Sequence, residues 1–307
     1  EKMHEERRAR IGVEKLSYYD EGVYFKEGNP KPVGTPEEIL KNGQKMYGEL
    51  SPETKEFMDF MMEHDLFDVL GKKTKQAGGY MTYIPDYKAP FIFANFNGSS
   101  SDVDVITHEC GHAFQGYVAA KDPIREHSEI TMDTAEIHSM SMEFFTEPHM
   151  ELFFGKDADR YREMHLDDAI AFVPYGTMVD EFQHIVYENP DMTPSERRST
   201  WARLEKEYRP HQYYSENTYL TKGGFWQKQH HIYSLPFYYI DYVLSQLCAF
   251  QYRIWMKKDY REAFDSYLKL CKMSAARFYP EMLHSVGLKV PYEEGTIRYV
   301  TENLISE

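Results

Sequence analysis

Residues 99–117 read SSSDVDVITHECGHAFQGY, and this stretch decides the fold. Serines followed by acidic side chains are typical of the first turn of a helix. Apolar side chains, among them Val103 and Ile106, then recur at helical spacing on one face, while His108 and His112 lie on another. Histidines four residues apart can place two ring nitrogens on one metal ion. The stretch therefore predicts a helix that carries the H-E-x-x-H pattern of a zinc site.

Glu109 lies about 100° round this helix from His108. At that angle its carboxylate can reach a water molecule at the metal without being a ligand, as a general base requires. The competing interpretation is a helix with two unrelated histidines, because H-E-x-x-H also occurs by chance. The strand predicted directly upstream favours catalysis, since its edge would let an extended peptide pair beside the metal.

A third metal ligand has to come from a later segment. The metzincin arrangement is excluded, because Gln115 and Val118 stand where it needs a glycine and a third histidine. In the segment MDTAEIHSMSMEFF, Glu136 and Glu143 are seven residues apart and share one face of the next helix. A carboxylate there would complete a site of two histidines and one glutamate. His138 is the alternative ligand, although it points about 200° away from Glu136.

The remaining patterns predict a mainly α fold, a zincin-type helical catalytic domain with a small β sheet beside the H-E-x-x-H helix. Helix starts with a Ser or Thr cap before proline occur at Thr35, Ser51 and Thr193, and long helical patterns cover 130–155, 157–188 and 235–257. Strand patterns are confined to YMTYI and FIFANF. No repeat or linker divides the chain, so we expect one catalytic domain over 1–307, with a helical lobe in residues 1–75.

Composition narrows the class of protein. Hydrophobic residues make up 42% and charged residues 28% of the 307 residues, as in globular proteins, and the net charge is -15. That charge would repel nucleic acid and anionic membranes. The first residues do not form a signal peptide, and the three cysteines are too few for a disulfide framework. We expect a cytoplasmic protein without nucleic-acid or membrane partners; the oligomeric state stays open.

Three blocks in order, GGYMTYIPDYKAPFIFANFNGSSSDVDVITHECGHAF, TAEIHSMSMEFF and HHIYSLPFYYIDY, carry a family resemblance. Together they resemble the oligoendopeptidase F group of the M3, thimet-oligopeptidase-like metallopeptidases. The resemblance implies a zinc-dependent endopeptidase that acts on short peptides, with a mostly helical fold and the metal deep in a channel. It extends over nearly all of the sequence and corresponds to the C-terminal, catalytic half of a typical member.

Carried over position by position, the resemblance implies one zinc ion per chain, held by His108, His112 and Glu136, with Glu109 as the general base. Glu143 is interpreted as a support for one of the metal-binding histidines, and the competing interpretation is a solvated charge. Cys110 falls on the apolar face of its helix and is interpreted as a small core residue.

The third block also contains candidates for binding the substrate. A helix after Pro236 would present hydroxyls on neighbouring faces, because Tyr238 and Tyr239 lie four and three residues before Tyr242. The resemblance implies that a histidine and tyrosines here hydrogen-bond the substrate and the oxyanion. His231 is favoured and His230 stays open, and Tyr242 is favoured over Tyr238 and Tyr239. The competing interpretation is an aromatic stripe in the core.

Two further functions compete with an endopeptidase. One is a non-catalytic zinc-containing fragment that binds peptides or needs an N-terminal half to work. The other is a zinc exopeptidase, such as a dipeptidyl carboxypeptidase, which would need a basic group for the substrate carboxylate. No motif in the sequence indicates such a group.

Overall fold

The computed structural model describes residues 2–273 and 275–304. The strands are β1 (Phe67–Leu70), β2 (Tyr80–Ile84) and β3 (Ala89–Phe96). The helices are α1 (Lys2–Ile11), α2 (Pro36–Leu50), α3 (Pro52–Glu63), α4 (Ser101–Ala119), α5 (Met132–Phe145), α6 (Glu151–Phe154), α7 (Ala158–Glu188), α8 (Pro194–Tyr208), α9 (Thr218–Thr221), α10 (His231–Ser234), α11 (Tyr239–Lys258), α12 (Tyr260–Met273), α13 (Tyr279–Ser285) and α14 (Thr296–Leu304). The fold is mainly helical with a small sheet, which confirms the predicted class.

The chain forms two compact units. The first unit contains Glu1–Asn29 and Glu163–Val243, and the second contains Pro30–Arg162 and Leu244–Glu307. Residues 1–75, for which we expect a helical lobe, are shared between the two units. A single catalytic domain over the whole chain stays a prediction.

Local capping chemistry sets where α2 and α8 begin. The Thr35 hydroxyl accepts the backbone N–H of Glu38 at 3.3 Å, and the Glu38 carboxylate accepts the backbone N–H of Thr35 at 2.7 Å. Thr193 and Glu196 make the same reciprocal pair at the start of α8. Each pair satisfies two backbone donors that lack partners within the helix. These predicted helix starts are confirmed.

Two of the predicted long helices are shorter than their patterns. The helical pattern over 130–155 is interrupted after α5, because Pro148 has no backbone N–H to donate to a continuing helix. The next helix, α6, begins at Glu151. The helix expected from residue 235 begins at Tyr239, since Phe237 adopts a φ of 65°. That left-handed conformation is incompatible with a right-handed helix.

The sheet lies in the second unit and has the strand order β1-β3-β2. β2 pairs antiparallel with β3, with Tyr80 opposite Phe93 and Ile84 opposite Ala89. β1 pairs parallel with β3 and was not expected, because four residues show too little alternation to indicate a strand. The prediction that FIFANF offers a free edge to a peptide is wrong: this strand is β3, which is central and paired on both sides.

Each unit has its own core. The second unit buries most of α4, including Val103, Ile106, Cys110 and Phe114, against its neighbours. The first unit has an aromatic core formed by Met178, Val179, Phe182, Trp201, Leu204, Tyr214, Phe225, Trp226 and Tyr239. Among the described residues, no helix combines the length and hydropathy needed to cross a bilayer.

Candidate metal centre and active-site residues

Helix α4 is anchored on both sides within the second unit. The hydroxyl of the buried Tyr47 donates to the backbone carbonyl of Ile106 at 3.0 Å, and that of Tyr161 donates to Asp104 Oδ1 at 2.6 Å. At its start, the Asp102 carboxylate accepts two backbone N–H groups of the preceding turn. Asp102 caps this turn, whereas the N-cap Ser100 makes no side-chain hydrogen bond. The first turns of the helix, directly before the histidines, are therefore held in place.

The absence of a side chain at Gly111 lets α4 and α5 approach closely. A Cβ at Gly111 would lie 2.7 Å from Ser139 Cα and 2.8 Å from the His138 carbonyl oxygen. Real Cβ atoms essentially never come this close to backbone. A glycine inside a buried helix indicates close packing, so this role of Gly111 is one that the sequence pattern could have predicted.

This approach brings three potential ligands together. Glu136 Oε2 lies 3.3 Å from His108 Nε2 and 3.3 Å from His112 Nε2. One ligand atom from each residue falls within 4.8 Å of the others. Ligands on a tetrahedral zinc ion at about 2.0–2.1 Å are about 3.3 Å apart. The spacing and the donor types fit a metal ion held by two imidazoles and one carboxylate.

Two further contacts orient these ligands. Glu143 Oε1 lies 2.6 Å from His108 Nδ1. Because an ionised carboxylate only accepts hydrogen bonds, Glu143 keeps a proton on His108 Nδ1, and Nε2 is the His108 nitrogen that can bind a metal ion beside Glu136. The hydroxyl of Ser139 donates to Glu136 Oε2 at 2.9 Å. Ser139 was not singled out from the sequence, because a serine on a helix carries no such signal by itself.

The contacts among His108, His112 and Glu136 favour a negatively charged carboxylate beside a positive charge. Burial alone would raise the pKa of Glu136, but hydrogen bonds from His108 and His112 hold that pKa well below its usual value. Burial alone would lower the pKa of His108, but its bonds to Glu136 and Glu143 hold it well above. A site that stabilises a carboxylate beside a cation is suited to a metal ion.

The other candidates on these helices are not members of the cluster, which among the described residues consists of His108, His112 and Glu136. His138 is fully buried, and its Nδ1 lies 3.5 Å from Cys271 Sγ; burial lowers the pKa of this imidazole to about 3. Glu109 is half-buried on α4. Cys110 is fully buried, as expected of a core residue, and burial raises the pKa of its thiol.

The histidine and tyrosine candidates gather within the first unit. The ring of His231 lies 4.9 Å from that of Tyr239, 5.8 Å from Tyr242 and 6.1 Å from Tyr238, measured between centroids. His230 is exposed instead, and its Nδ1 lies 2.9 Å from the Ser234 hydroxyl. Of the two histidines that the sequence left open, the contacts with the tyrosines favour His231.

The three tyrosines differ in burial. Tyr239 is 9% exposed and belongs to the aromatic core, and burial raises the pKa of its hydroxyl. Tyr238 and Tyr242 are only partly buried, with ring centroids 4.8 Å apart. Burial favours a packing role for Tyr239, whereas Tyr238 and Tyr242 are partly exposed and Tyr242 packs against the same aromatic core.

The family model of peptidase family M3 matches residues 54–293, which is more than half of the chain and includes every candidate residue above. This chain belongs to peptidase family M3.

Individual M3 relatives agree with the match. An oligoendopeptidase F homolog of Borreliella burgdorferi is 23% identical over 300 residues, covering 93% of this chain. A solved oligoendopeptidase F structure is 54% identical with a TM-score of 0.95, and PZ peptidase A, solved with an inhibitor, is 52% identical with a TM-score of 0.95. Both structural matches cover 99% of this chain.

The chain spans about half the length of these relatives. It covers 49% of the Borreliella burgdorferi protein and 54% of each of the two solved chains. Membership of family M3 is therefore shown by the residues present in about half of a full-length relative.

Proposed function

We propose that this chain is the catalytic part of a zinc-dependent endopeptidase that hydrolyses internal peptide bonds of short oligopeptides. The observation that carries the proposal is the convergence of two histidine nitrogens on one oxygen of Glu136, each at 3.3 Å. Family M3 membership supports the reaction class, and the donor set supports zinc as the cofactor, one ion per chain.

In this proposal His108, His112 and Glu136 hold the metal. When bound, zinc would polarise the scissile carbonyl and lower the pKa of water. Glu143 keeps the His108 proton on Nδ1, which leaves Nε2 free to bind the ion. Ser139 restrains the Glu136 carboxylate in the same way.

Glu109 acts as the general base and acid. It follows His108 directly on α4, so its side chain leaves the helix on a different face from the ligands. Its carboxylate takes a proton from the attacking water and then passes that proton to the leaving amine. It stays ionised for the first step and protonated for the second.

The substrate is an extended peptide. Within the second unit, β2 is an outer strand of the sheet. It packs beside α4, because a Cβ atom at Gly116 would lie 3.5 Å from Tyr83 Cδ2 of β2. We propose that the outer edge of β2, which pairs with no other described strand, takes the place of FIFANF and pairs with the peptide backbone. Backbone pairing of this kind needs an unfolded segment and so selects short, unstructured peptides.

His231 and the tyrosines are proposed as hydrogen-bond donors to the substrate and the oxyanion. The family resemblance supports this role, and the gathering of their rings in the first unit is consistent with a shared function. Tyr242 and Tyr238 are the favoured donors, since Tyr239 is buried in the core.

The test is digestion of a mixed peptide library by the pure chain, read by mass spectrometry. Parallel reactions contain a chelator, the chelator followed by added zinc, or the Glu136→Gln variant. We expect internal cleavage that the chelator abolishes, zinc restores and the variant lacks. Release of terminal residues only would indicate an exopeptidase, and peptide binding without cleavage would indicate a binding fragment; either result would refute the proposal for this chain.

A further inference from the structure

Gln229 links His231 to a tyrosine on another helix of the first unit. Its Nε2 lies 2.7 Å from His231 Nδ1, and its Oε1 accepts the hydroxyl of Tyr175 at 2.7 Å. Tyr175 lies on α7, and its ring packs edge-on against Trp201 and Tyr239. The three side chains form one continuous hydrogen-bonded series from the core to the histidine.

The hydroxyl of Tyr175 determines which group donates and which accepts in each of these hydrogen bonds. Among the described residues it donates to no acceptor other than Gln229 Oε1. Reversing the amide would make Tyr175 an acceptor and leave the proton of a largely buried phenol without a partner, which is costly. The amide nitrogen therefore faces His231, and because it only donates, His231 Nδ1 must carry a lone pair.

We infer that Gln229 is a positioning residue that holds His231 in the tautomer protonated at Nε2. In that tautomer the imidazole offers an N–H donor from the nitrogen opposite Gln229, and a peptide carbonyl is the substrate group that accepts it. The inference rests on the proposed function only for what His231 donates to. The tautomer itself follows from the contacts within the first unit.

The neighbouring histidine shows why the amide matters. His230 Nδ1 contacts the hydroxyl of Ser234, which either donates or accepts and so suits both tautomers. The rings of Tyr239 and Tyr242 also pack around His231, at 4.9 and 5.8 Å, and restrict its rotation. His231 is therefore restrained both in orientation and in the position of its proton.

The test is the tautomer of His231 measured by ¹⁵N NMR, with its signals assigned by their loss in His231→Asn. Spectra are taken about two pH units above the ordinary histidine pKa of about 6.5, where an imidazole with that pKa is neutral. We expect Nε2 protonated in the parent. In Gln229→Glu the carboxylate can only accept, so we expect the proton to move to Nδ1.

Two further variants complete the design. Gln227→Glu makes the same chemical change at an exposed side chain two residues away, and we expect it to keep the parent tautomer. Tyr175→Phe removes the hydroxyl that orients the amide, and we expect it to give a mixture of tautomers. If Gln229→Glu does not fold, the tautomers of His231 in Tyr175→Phe test the inference in its place.

Kinetics separate this inference from the proposed function. We expect Gln229→Glu to lower kcat/KM for peptide cleavage by about 100-fold, as loss of one donor to a developing charge does, and Gln227→Glu to leave it unchanged. An Nδ1-protonated parent, or a Gln229→Glu spectrum like that of the parent, would overturn the inference whatever the activity. The expected tautomers with undiminished cleavage would uphold the inference and refute donation by His231.

Discussion

Replacing Gly111 with alanine tests whether the close approach of α4 and α5 builds the metal centre. The new Cβ would lie 2.7 Å from Ser139 Cα, whereas ordinary contact begins at 3.4 Å, so the helices must separate by about 0.7 Å (3.4 − 2.7). Overpacking of this kind costs about 1–3 kcal/mol. The gain in helix propensity, about 1 kcal/mol, offsets part of it.

The effect on metal binding should exceed the effect on stability. Ligand distances in metal sites tolerate only about 0.2 Å, and Glu136 lies on the helix that must move. We therefore expect Gly111→Ala to lower zinc affinity at least about tenfold, or about 1.4 kcal/mol. The assay is titration of the metal-free protein with zinc against a competing fluorescent chelator, alongside thermal unfolding without metal.

Gly116→Ala is the matched control on the same helix. Its Cβ would meet Tyr83 Cδ2 at 3.5 Å and Met81 Cε at 3.9 Å, which are ordinary contacts. We expect unchanged zinc affinity and unchanged or slightly higher stability, because alanine favours helix. If Gly111→Ala bound zinc as tightly as Gly116→Ala, the close approach would not be what positions Glu136.

The remaining predictions concern individual roles at the site. Glu136→Gln should abolish tight zinc binding, while His138→Gln should lower the melting temperature and keep the metal, because His138 is fully buried and is not a member of the cluster. Metal analysis after dialysis is the measurement, and the reverse pattern would make His138 the ligand. Glu109→Gln should keep zinc and the fold but lose nearly all peptide hydrolysis, since an amide cannot accept the proton; activity within a few-fold of the parent would refute a general base. Tyr242→Phe should lower kcat and kcat/KM together by about 100-fold or more with the melting temperature little changed, whereas a near-normal kcat would assign Tyr242 to packing.

The sequence by itself determined the features that depend on spacing within one element. Reciprocal caps at Thr35 and Thr193 act over three residues, so the starts of α2 and α8 could be predicted without knowing their neighbours. Helical periodicity likewise placed His108 and His112 on one face of α4 and separated them from Glu109. The block resemblance supplied the family, which the match over residues 54–293 confirms.

Only the tertiary structure decided the features that depend on how separate elements pack. Periodicity on α5 allowed Glu136 or His138 as the third ligand, and the contact of Gly111 with Ser139 turns Glu136 toward the histidines. The four-residue β1 became visible only through its pairing with β3, which makes β3 central. The direction in which a side chain leaves a helix follows from the rotation of 100° per residue, so the sequence predicts it. The distance between two helices depends on which side chains fit between them, and the spacing of residues along the sequence does not specify that packing.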